Sequence, residues 1–302
     1  MKYEEALVVK AAWYYYVENM TQQKISEKLG ISRMRVIRLL EKAKQDGVIQ
    51  FKISKERSHH LQIEQEVIKT WGLKDAFIIP DSPEPAGTND SIAKAAAMYL
   101  SDRLEPGAYL NIGYGDTPSR ILNHLTTIIE QPVSMVSLTG GVSYYLQNNI
   151  SSVNNAKLYL YPTPLKLSSK DMRDAILNES GVQEIGRMVR LASMTIVGIG
   201  GMSEDATIIT NGILNKNDFL YLSMQGAVGD LLTHFIDKDG NPIVSEIDDK
   251  LVSTSLDILK ELDNVIGVAA GPNKTEAIRA VLKGGYIDVL ITDEETAMKL
   301  TQ

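Results

Sequence analysis

Residues 21–51 read TQQKISEKLGISRMRVIRLLEKAKQDGVIQF. Thr21 and Ser32 each stand before a stretch with helical spacing, where a side-chain hydroxyl accepts a hydrogen bond from the free N–H groups of a first helical turn. Gly30 lies between the two stretches, where a left-handed turn favours a residue without a Cβ atom. The pattern predicts two short helices joined by a tight turn. Their apolar positions are Ile25, Leu29, Val36, Leu39, Leu40 and Ala43.

The segments on either side of this helix pair complete a small domain. Residues 3–18 carry an apolar stripe at helical spacing and predict a first helix that packs beneath the pair. Gly47 ends the second helix of the pair, and apolar and polar residues then alternate over residues 48–53, as in a short strand. We therefore predict a winged helix-turn-helix domain over residues 1–55.

The second helix of the pair is the expected DNA-contacting element. It carries Arg33, Arg35 and Arg38 on its outer side, near the N-terminal half that enters the major groove in this motif. Helix pairs with arginines also occur in proteins that do not bind DNA, but the wing and the N-terminal position favour DNA binding. We expect the partner to be double-stranded operator DNA with repeated half-sites. The predicted DNA-binding residues are Thr21, Gln22, Ser32, Arg33, Met34, Arg35 and Arg38.

Charge is distributed unevenly along the chain. Residues 1–57 contain 12 basic and 7 acidic residues, a net charge of +5. Residues 58–302 contain 19 basic and 31 acidic residues, a net charge of −12. This division restricts the expected phosphate-binding surface to the N-terminal domain. The net charge of −7 for the whole chain conceals it.

The composition of the chain excludes several kinds of site and of protein. The chain has no cysteine, so it has no disulfide and no thiolate metal ligand, and its four histidines show no metal-ligand spacing. We predict neither a metal nor another cofactor. No run of about 18 apolar residues is present, and the N-terminus lacks the basic and apolar regions of a signal peptide. The sequence thus predicts a cytoplasmic protein without a membrane partner.

Residues 56–72 have the spacing of a linker helix. Leu61, Glu64, Val67, Ile68 and Trp71 fall near heptad positions. Two arrangements fit this pattern equally well: the helix pairs with its copy in another subunit, or it packs on the domain that follows it. Because one small DNA-binding head makes few contacts, we expect a homo-oligomer, either a dimer or a tetramer.

From residue 73 onward, short apolar strands alternate with helical stretches. Such alternation predicts an α/β domain with a mainly parallel, Rossmann-like sheet over residues 73–302. Helices are predicted over Ser91–Leu104 and Pro118–Leu125, and from Thr275 onward. The predicted strands are Ala76–Ile79, Tyr109–Ile112, Val133–Leu138, Ala156–Tyr161, Met194–Val197, Phe219–Ser223, Val265–Ala269 and Val289–Thr292.

Most glycines of this domain follow the carboxyl end of a predicted strand, the edge at which open parallel sheets bind ligands. The turn Gly113–Thr117 is expected to present consecutive backbone N–H groups at a helix start, which favours an anion. Lys274 precedes another helix and adds a positive charge. A glycine after a strand often marks only a tight turn, but several such turns on one edge predict a ligand pocket.

The order and spacing of longer motifs resemble those of the SorC family of bacterial sugar-responsive transcription regulators. The N-terminal resemblance covers MTQQKISEKLGISRMRVIRLLEKAKQDGVI. The family implies a C-terminal fold similar to phosphosugar isomerases, a small phosphorylated sugar or polyol as effector, and tetramers that bind an operator near the target operon. The C-terminal motifs are EPGAYLNIGYGDT, SLTGG, VGIGG, QGAVGDLL, DKDGNPI and AAGPNKTEAIRAVLKGGYIDVLITDE.

Carried onto this chain, the resemblance places the effector among the loops of the sheet edge. Asp230 would accept hydrogen bonds from sugar hydroxyls, and Lys274 would meet a phosphate or another oxygen. The family's first loop commonly reads Gly-Trp-Gly-Arg-Thr, but here Asp116 replaces the cation, and a carboxylate repels a phosphate while it pairs with hydroxyls. We therefore expect either a sugar or a sugar phosphate. The expected effector-binding residues are Gly113, Tyr114, Gly115, Asp116, Thr117, Thr139, Gly140, Gly141, Thr163, Pro164, Gly200, Asp230 and Lys274.

Two functions remain open at this point. The favoured one is a DNA-binding regulator, expected to be a repressor, that controls a carbohydrate-utilisation operon in response to its effector. The alternative is a sugar-phosphate isomerase-like enzyme with an appended DNA-binding head, because several carboxylates are available as a general base. No loop pairs a carboxylate with a second catalytic group at a recognisable spacing. We therefore predict no enzymatic activity and no catalytic residues.

Overall fold

The computed structural model describes residues 3–49, 55–82, 87–141, 145 and 156–302. The chain folds into two compact units, residues 1–58 and residues 59–302. The first unit is helical, and the second combines a large sheet with helices. No helix among the described residues is both long enough and apolar enough to cross a bilayer.

The N-terminal unit contains α1 (Tyr3–Tyr16), α2 (Gln22–Leu29) and α3 (Arg33–Gln45). The predicted caps are confirmed, because the hydroxyl of Thr21 accepts from the N–H of Lys24 and that of Ser32 from the N–H of Arg35, both at 3.3 Å. Gly30 adopts the left-handed conformation, with φ of 63°, and turns the chain between α2 and α3. The three helices share a core of Leu7, Val8, Ala11, Ala12, Ile25, Val36, Leu39, Leu40 and Ala43.

The predicted wing strand is described only at its beginning. Val48 and Ile49 form a bend rather than a strand, and the N–H of Ile49 donates to the carbonyl of Ala43 at 3.0 Å, which closes the end of α3. Residues 50–53 of the predicted strand lie outside the described residues.

Helix α4 (Lys55–Trp71) shows the second of the two arrangements considered for the linker. Ile63 and Val67 are buried in the core of the C-terminal unit. The carboxylate of Glu64 accepts from the backbone N–H of Ile78 at 3.0 Å, and the indole of Trp71 donates to the carbonyl of Leu300 at 3.1 Å. The helix thus packs on its own domain, whereas pairing with a second copy stays a prediction.

Among the described residues of the C-terminal unit, nine strands form one sheet. The strands are β1 Asp75–Ile79, β2 Tyr109–Ile112, β3 Val133–Ser137, β4 Ala156–Tyr159, β5 Met194–Gly201, β6 Ala227–Leu231, β7 His234–Asp237, β8 Val265–Val268 and β9 Val289–Asp293. Seven of them are parallel neighbours in the order β1-β9-β8-β5-β2-β3-β4, and β6 and β7 form an antiparallel hairpin that extends from β5. The mainly parallel sheet is therefore confirmed.

Helices cover both faces of this sheet, so its strands are buried on two sides. The helices are α5 Thr88–Ser101, α6 Asp116–Ile128, α7 Lys170–Leu177, α8 Ser180–Val189, α9 Thr207–Thr210, α10 Lys216–Met224, α11 Leu256–Glu261, α12 Thr275–Lys283 and α13 Glu294–Thr301. Successive residues of β5 show the alternation: Ile196 packs in the core beneath α5 and α6, whereas Val197 packs in the opposite core with α4, α12 and α13.

The prediction of a strand over Phe219–Ser223 is wrong, because these residues lie within helix α10. Asn215 caps this helix with a hydrogen bond from the N–H of Asp218 at 2.8 Å. Phe219 and Leu222, three residues apart, form its buried face. Strand β6 begins at Ala227, shortly after this helix, and pairs with the extended end of β5.

Candidate effector site and DNA-binding surface

A cavity of about 630 Å³ lies at the carboxyl ends of β2 and β5. The loop after β2, the end of β5, strand β6 and the turn before α12 all contribute to its lining. Its volume is within the range of small-molecule sites, and its position is the one at which parallel sheets bind ligands. The predicted residues that line it are Tyr114, Gly115, Asp116, Thr117, Gly200, Asp230 and Lys274.

Two glycines form the floor of this cavity. Gly200 pairs with Asp230 across the antiparallel strands, and a Cβ atom at position 200 would clash with Oδ1 of Asp230. A Cβ atom at Gly201 would lie 2.7 Å from the backbone oxygen of Asn273, next to Lys274. Only glycine therefore allows the carboxylate of Asp230 and the Lys274 turn to approach the same strand end.

Asp230 and Lys274 are partly buried charged groups in the cavity. Burial raises the pKa of Asp230 to about 6, although a hydrogen bond from the N–H of Thr233 and the charges of Lys274 and His234 favour the ionised form. Burial lowers the pKa of Lys274, and the charges of three nearby carboxylates oppose this effect. Within the described residues, the ammonium of Lys274 makes no ion pair or hydrogen bond.

The first predicted loop forms the wall of the cavity at the start of α6. Gly115 has a φ of 127°, and the helix begins at Asp116. The carboxylate of Asp116 accepts a hydrogen bond from Nε of Arg120 at 2.8 Å and another from the amide of Asn89 at 3.3 Å. The cation that the loop lacks at position 116 is therefore supplied one helical turn later. Gly113 belongs to the strand end beside this loop, where its N–H donates to the carbonyl of Ile196 at 2.8 Å.

Five of the predicted effector-binding residues do not line the cavity: Thr139, Gly140 and Gly141 after β3, and Thr163 and Pro164 after β4. Gly141 donates to the carbonyl of Thr163, and Gly140 donates to that of Val252, both at 2.8 Å. A Cβ atom at Gly140 would lie 2.5 Å from the backbone oxygen of Pro164. Thr139 bonds to the hydroxyl of Tyr145 at 2.9 Å. These glycines allow two chain segments to pack closely, so the structure assigns them a packing role.

Several polar residues of the cavity were missed in the sequence. Asp90 of α5 accepts from His124 at 2.8 Å and from Lys94 at 2.7 Å, and these hydrogen bonds lower its pKa. Asp116, Arg120 and His124 recur every fourth residue on one face of α6, a signal that was present in the sequence. The remaining missed residues come from the segment after β5 and include Ser203, Asp205, Thr207 and Asn211.

The predicted DNA-binding residues lie together at the surface of the N-terminal unit. All are exposed except Gln22, which is half-buried. Nε of Arg33 donates to the side-chain oxygen of Gln22 at 3.4 Å and so connects α3 to α2. Met34 is 60% exposed, and Arg35, Arg38 and Lys42 share a shallow cleft with it.

Comparison with known proteins gives the same two-part division. A family model described as "Putative sugar-binding domain" matches residues 55–302, and a model of "Sigma-70, region 4" matches residues 3–45. The transcriptional regulator LsrR of Klebsiella pneumoniae is 37% identical over 299 residues, which cover 97% of this chain and 92% of that protein. LsrR of Escherichia coli K12 is 36% identical, covering 97% and 94% of the two chains.

Solved structures share the fold. The full-length sorbitol operon regulator SorC from Klebsiella pneumoniae superposes with a TM-score of 0.72 and 24% identity over 99% of each chain. A DeoR family transcriptional regulator from Listeria monocytogenes superposes with a TM-score of 0.74 and 24% identity over 80% of this chain and 99% of that one. From the matched sugar-binding domain, the full-length relatives and the shared fold, it follows that this chain belongs to the SorC family of sugar-responsive, DNA-binding transcriptional regulators.

Proposed function

We propose that the chain is a repressor of a carbohydrate-utilisation operon, controlled by a small sugar or sugar phosphate that binds in the cavity beside Asp230. Membership of a family of transcriptional regulators supports the control of an operon. The exposed cationic surface of α3 supports operator binding through this helix. Bound effector would lower the affinity for operator DNA, and by linkage operator DNA would lower the affinity for effector by the same factor.

The main support for an effector site in this cavity is the pair of charged groups at its floor. Asp230 lies against Gly200 and Lys274 against Gly201, and no ion pair between the two is found among the described residues. Partly buried charges lower the stability of a protein unless polar groups pair with them. A sugar supplies both kinds of partner, because a hydroxyl donates to Asp230 and an anionic or polar oxygen accepts from Lys274.

Arg120 bears on whether the effector is phosphorylated. Its hydrogen bond to Asp116 offsets the negative charge beside the N-terminus of α6, so an anion is not repelled there by an unpaired carboxylate. The substitution Asp116→Asn separates the two classes of effector. It should tighten the binding of a phosphate ester held at this loop, and it should weaken the binding of a ligand whose hydroxyls pair with Asp116.

A thermal-shift screen of sugars and sugar phosphates tests the proposed effector site. A ligand that binds only the folded state raises the melting temperature, by an amount that grows with its concentration relative to Kd. Lys274→Ala should weaken binding of the ligand with the largest shift about tenfold, since a polar group then stays unpaired. Operator affinity without ligand should be unchanged. Lys216→Ala, which removes an exposed lysine at the start of α10, is the matched control.

Two results would contradict this assignment. The first is the absence of a shift with every sugar tested, and the second is equal ligand affinity in Lys274→Ala and the unmodified protein. The enzyme alternative requires its own assay, because a carboxyl with a pKa of about 6 is suited to general-base catalysis. We propose that the cavity binds without turnover. Formation of an isomerised product from pentose or hexose phosphates, lost in Asp230→Asn, would overturn that proposal.

A further inference from the structure

Helix α3 exposes one large apolar side chain, that of Met34, beside its arginines. At 3.6 residues per turn, Met34 and Arg38 lie on the side of the helix opposite its buried stripe of Val36, Leu39, Leu40 and Ala43. Met34 is therefore among the outermost residues of the helix, and 60% of it is exposed. The preceding cap, Ser32, places it in the first helical turn.

The surroundings of Met34 are cationic. Arg35, Arg38 and Lys42 line its cleft together with Glu4, whose carboxylate forms an ion pair with Lys42 at 3.8 Å. Within the described residues, the guanidinium groups of Arg35 and Arg38 make no hydrogen bond or ion pair. An exposed apolar group bordered by unpaired cations is complementary to a surface that combines phosphates with an apolar group.

The major groove of DNA has this combination. Its phosphates border the groove, and the C5-methyl of thymine is the apolar group that its base edges present. The N-terminal half of the second helix in a helix-turn-helix is the part that meets those edges. We propose that Met34 is a specificity-determining residue that packs against the C5-methyl of a thymine in each operator half-site. This inference rests on the proposed binding of DNA through α3.

The chemistry of the side chain suits this role. Methionine is unbranched and flexible, so its terminal methyl can reach a base edge while the arginines beside it contact phosphates or guanines. Arg33 is less free to reach a base, because it already donates to Gln22 on α2. Met34 thus supplies the apolar contact to a base edge, and the flanking cations supply the polar contacts to phosphates or guanines.

Replacement of thymine by deoxyuridine tests the inference, since it removes only the methyl group. Duplexes selected by the full-length protein from a random pool serve as the probe, and binding is measured by fluorescence anisotropy. Deoxyuridine at one thymine of each half-site should weaken binding of the unmodified protein about fourfold per half-site, as expected for loss of one buried methyl group. In Met34→Ala, thymine and deoxyuridine duplexes should bind equally.

The matched control is Met98→Ala, which truncates a methionine that is 63% exposed on α5 of the other unit. It should retain the full dependence on the thymine methyl. Circular dichroism establishes that Met34→Ala is folded. If no duplex is enriched or bound by the unmodified protein, the proposed DNA binding fails. Two other results would leave the proposed DNA binding intact and overturn the role of Met34. The first is that a duplex is bound but no replacement of thymine by deoxyuridine changes its affinity. The second is that the replacement still weakens binding in Met34→Ala.

Discussion

At the scale of single residues, the floor of the cavity depends on the contact between Gly200 and Asp230. In Gly200→Ala, the added Cβ atom would overlap Oδ1 of Asp230, so the carboxylate must move or the strands must separate. We expect effector affinity to fall at least tenfold and the free energy of unfolding to fall by about 1–3 kcal/mol. Calorimetric titration with the effector found by thermal shift and urea unfolding measure the two effects.

Gly181→Ala is the control for this substitution. Gly181 lies in the first turn of α8, and an added Cβ atom there would meet no heavy atom within 4 Å. Alanine should leave effector binding unchanged and should raise the free energy of unfolding by up to about 1 kcal/mol, because it restricts the unfolded chain. Equal behaviour of the two variants would show that Gly200 has no special role.

The raised pKa of Asp230 predicts a pH dependence of stability. Because its pKa in the folded protein is about 6, against 3.8 for an ordinary aspartate, folding favours the protonated form despite the nearby charges of Lys274 and His234. The unmodified protein should therefore lose stability relative to Asp230→Asn as the pH rises from about 4 to 7. The advantage of the variant should level off above pH 7 at about 2–3 kcal/mol. Urea unfolding at pH 4.5 and pH 8 provides the comparison, and an advantage that shrinks with rising pH would contradict it.

At the scale of secondary-structure elements, α10 shows how a cap stabilises the first turn of a helix. Asn215 accepts from the N–H of Asp218 at 2.8 Å and fixes the first turn. Asn215→Ala should lower the free energy of unfolding by about 1 kcal/mol. Asn217→Ala, two residues later and exposed on the same helix, should have little effect. If urea unfolding gives the same loss of stability for both variants, the cap does not account for the effect of Asn215→Ala.

The helix termini and helix α10 illustrate what the sequence could and could not predict. Thr21, Gly30 and Ser32 are local signals, because each acts on its own turn, and the structure confirms them. The strand predicted at Phe219–Ser223 failed because a short apolar run fits either element, and the burial that decides between them comes from Phe235 on β7. The glycines at 140 and 141 were expected in the cavity, but the residues they approach are distant in sequence.

The arginines of helix α3 are expected to contribute differently to DNA affinity. The guanidinium of Arg35 has no partner among the described residues, whereas that of Arg33 donates to Gln22. Arg35→Ala should cost about 1–3 kcal/mol and relax specificity at one base pair, whereas Arg33→Ala should weaken binding to all duplexes and flatten its salt dependence. Anisotropy at several salt concentrations distinguishes these effects. Arg190→Ala, which removes an exposed arginine of the other unit, is the control. Unchanged operator affinity in both head variants would exclude α3 as the contact.

At the scale of the whole molecule, the small size of the head predicts an oligomer. A unit of 58 residues offers few contacts to one half-site, so specificity requires at least two heads on repeated half-sites. We expect a dimer or tetramer assembled through the exposed side of α4, where Leu61 is 53% exposed, or through the C-terminal unit. Light scattering at micromolar concentration measures the mass, and a monomer both with and without operator would contradict the expectation.

The lining of the cavity comes from parts of the chain that are far apart, from Asn89 on α5 to Lys274 before α12. Contacts between such distant segments stabilise the chain only after the loops between them have closed, so we expect them to form after the rate-limiting step of folding. A ligand that bridges them then stabilises the native state more than the folding transition state. Its effect should appear as a slower unfolding rate with little change in the folding rate. The effector would in this way lengthen the lifetime of the protein against proteases that act on the globally unfolded chain.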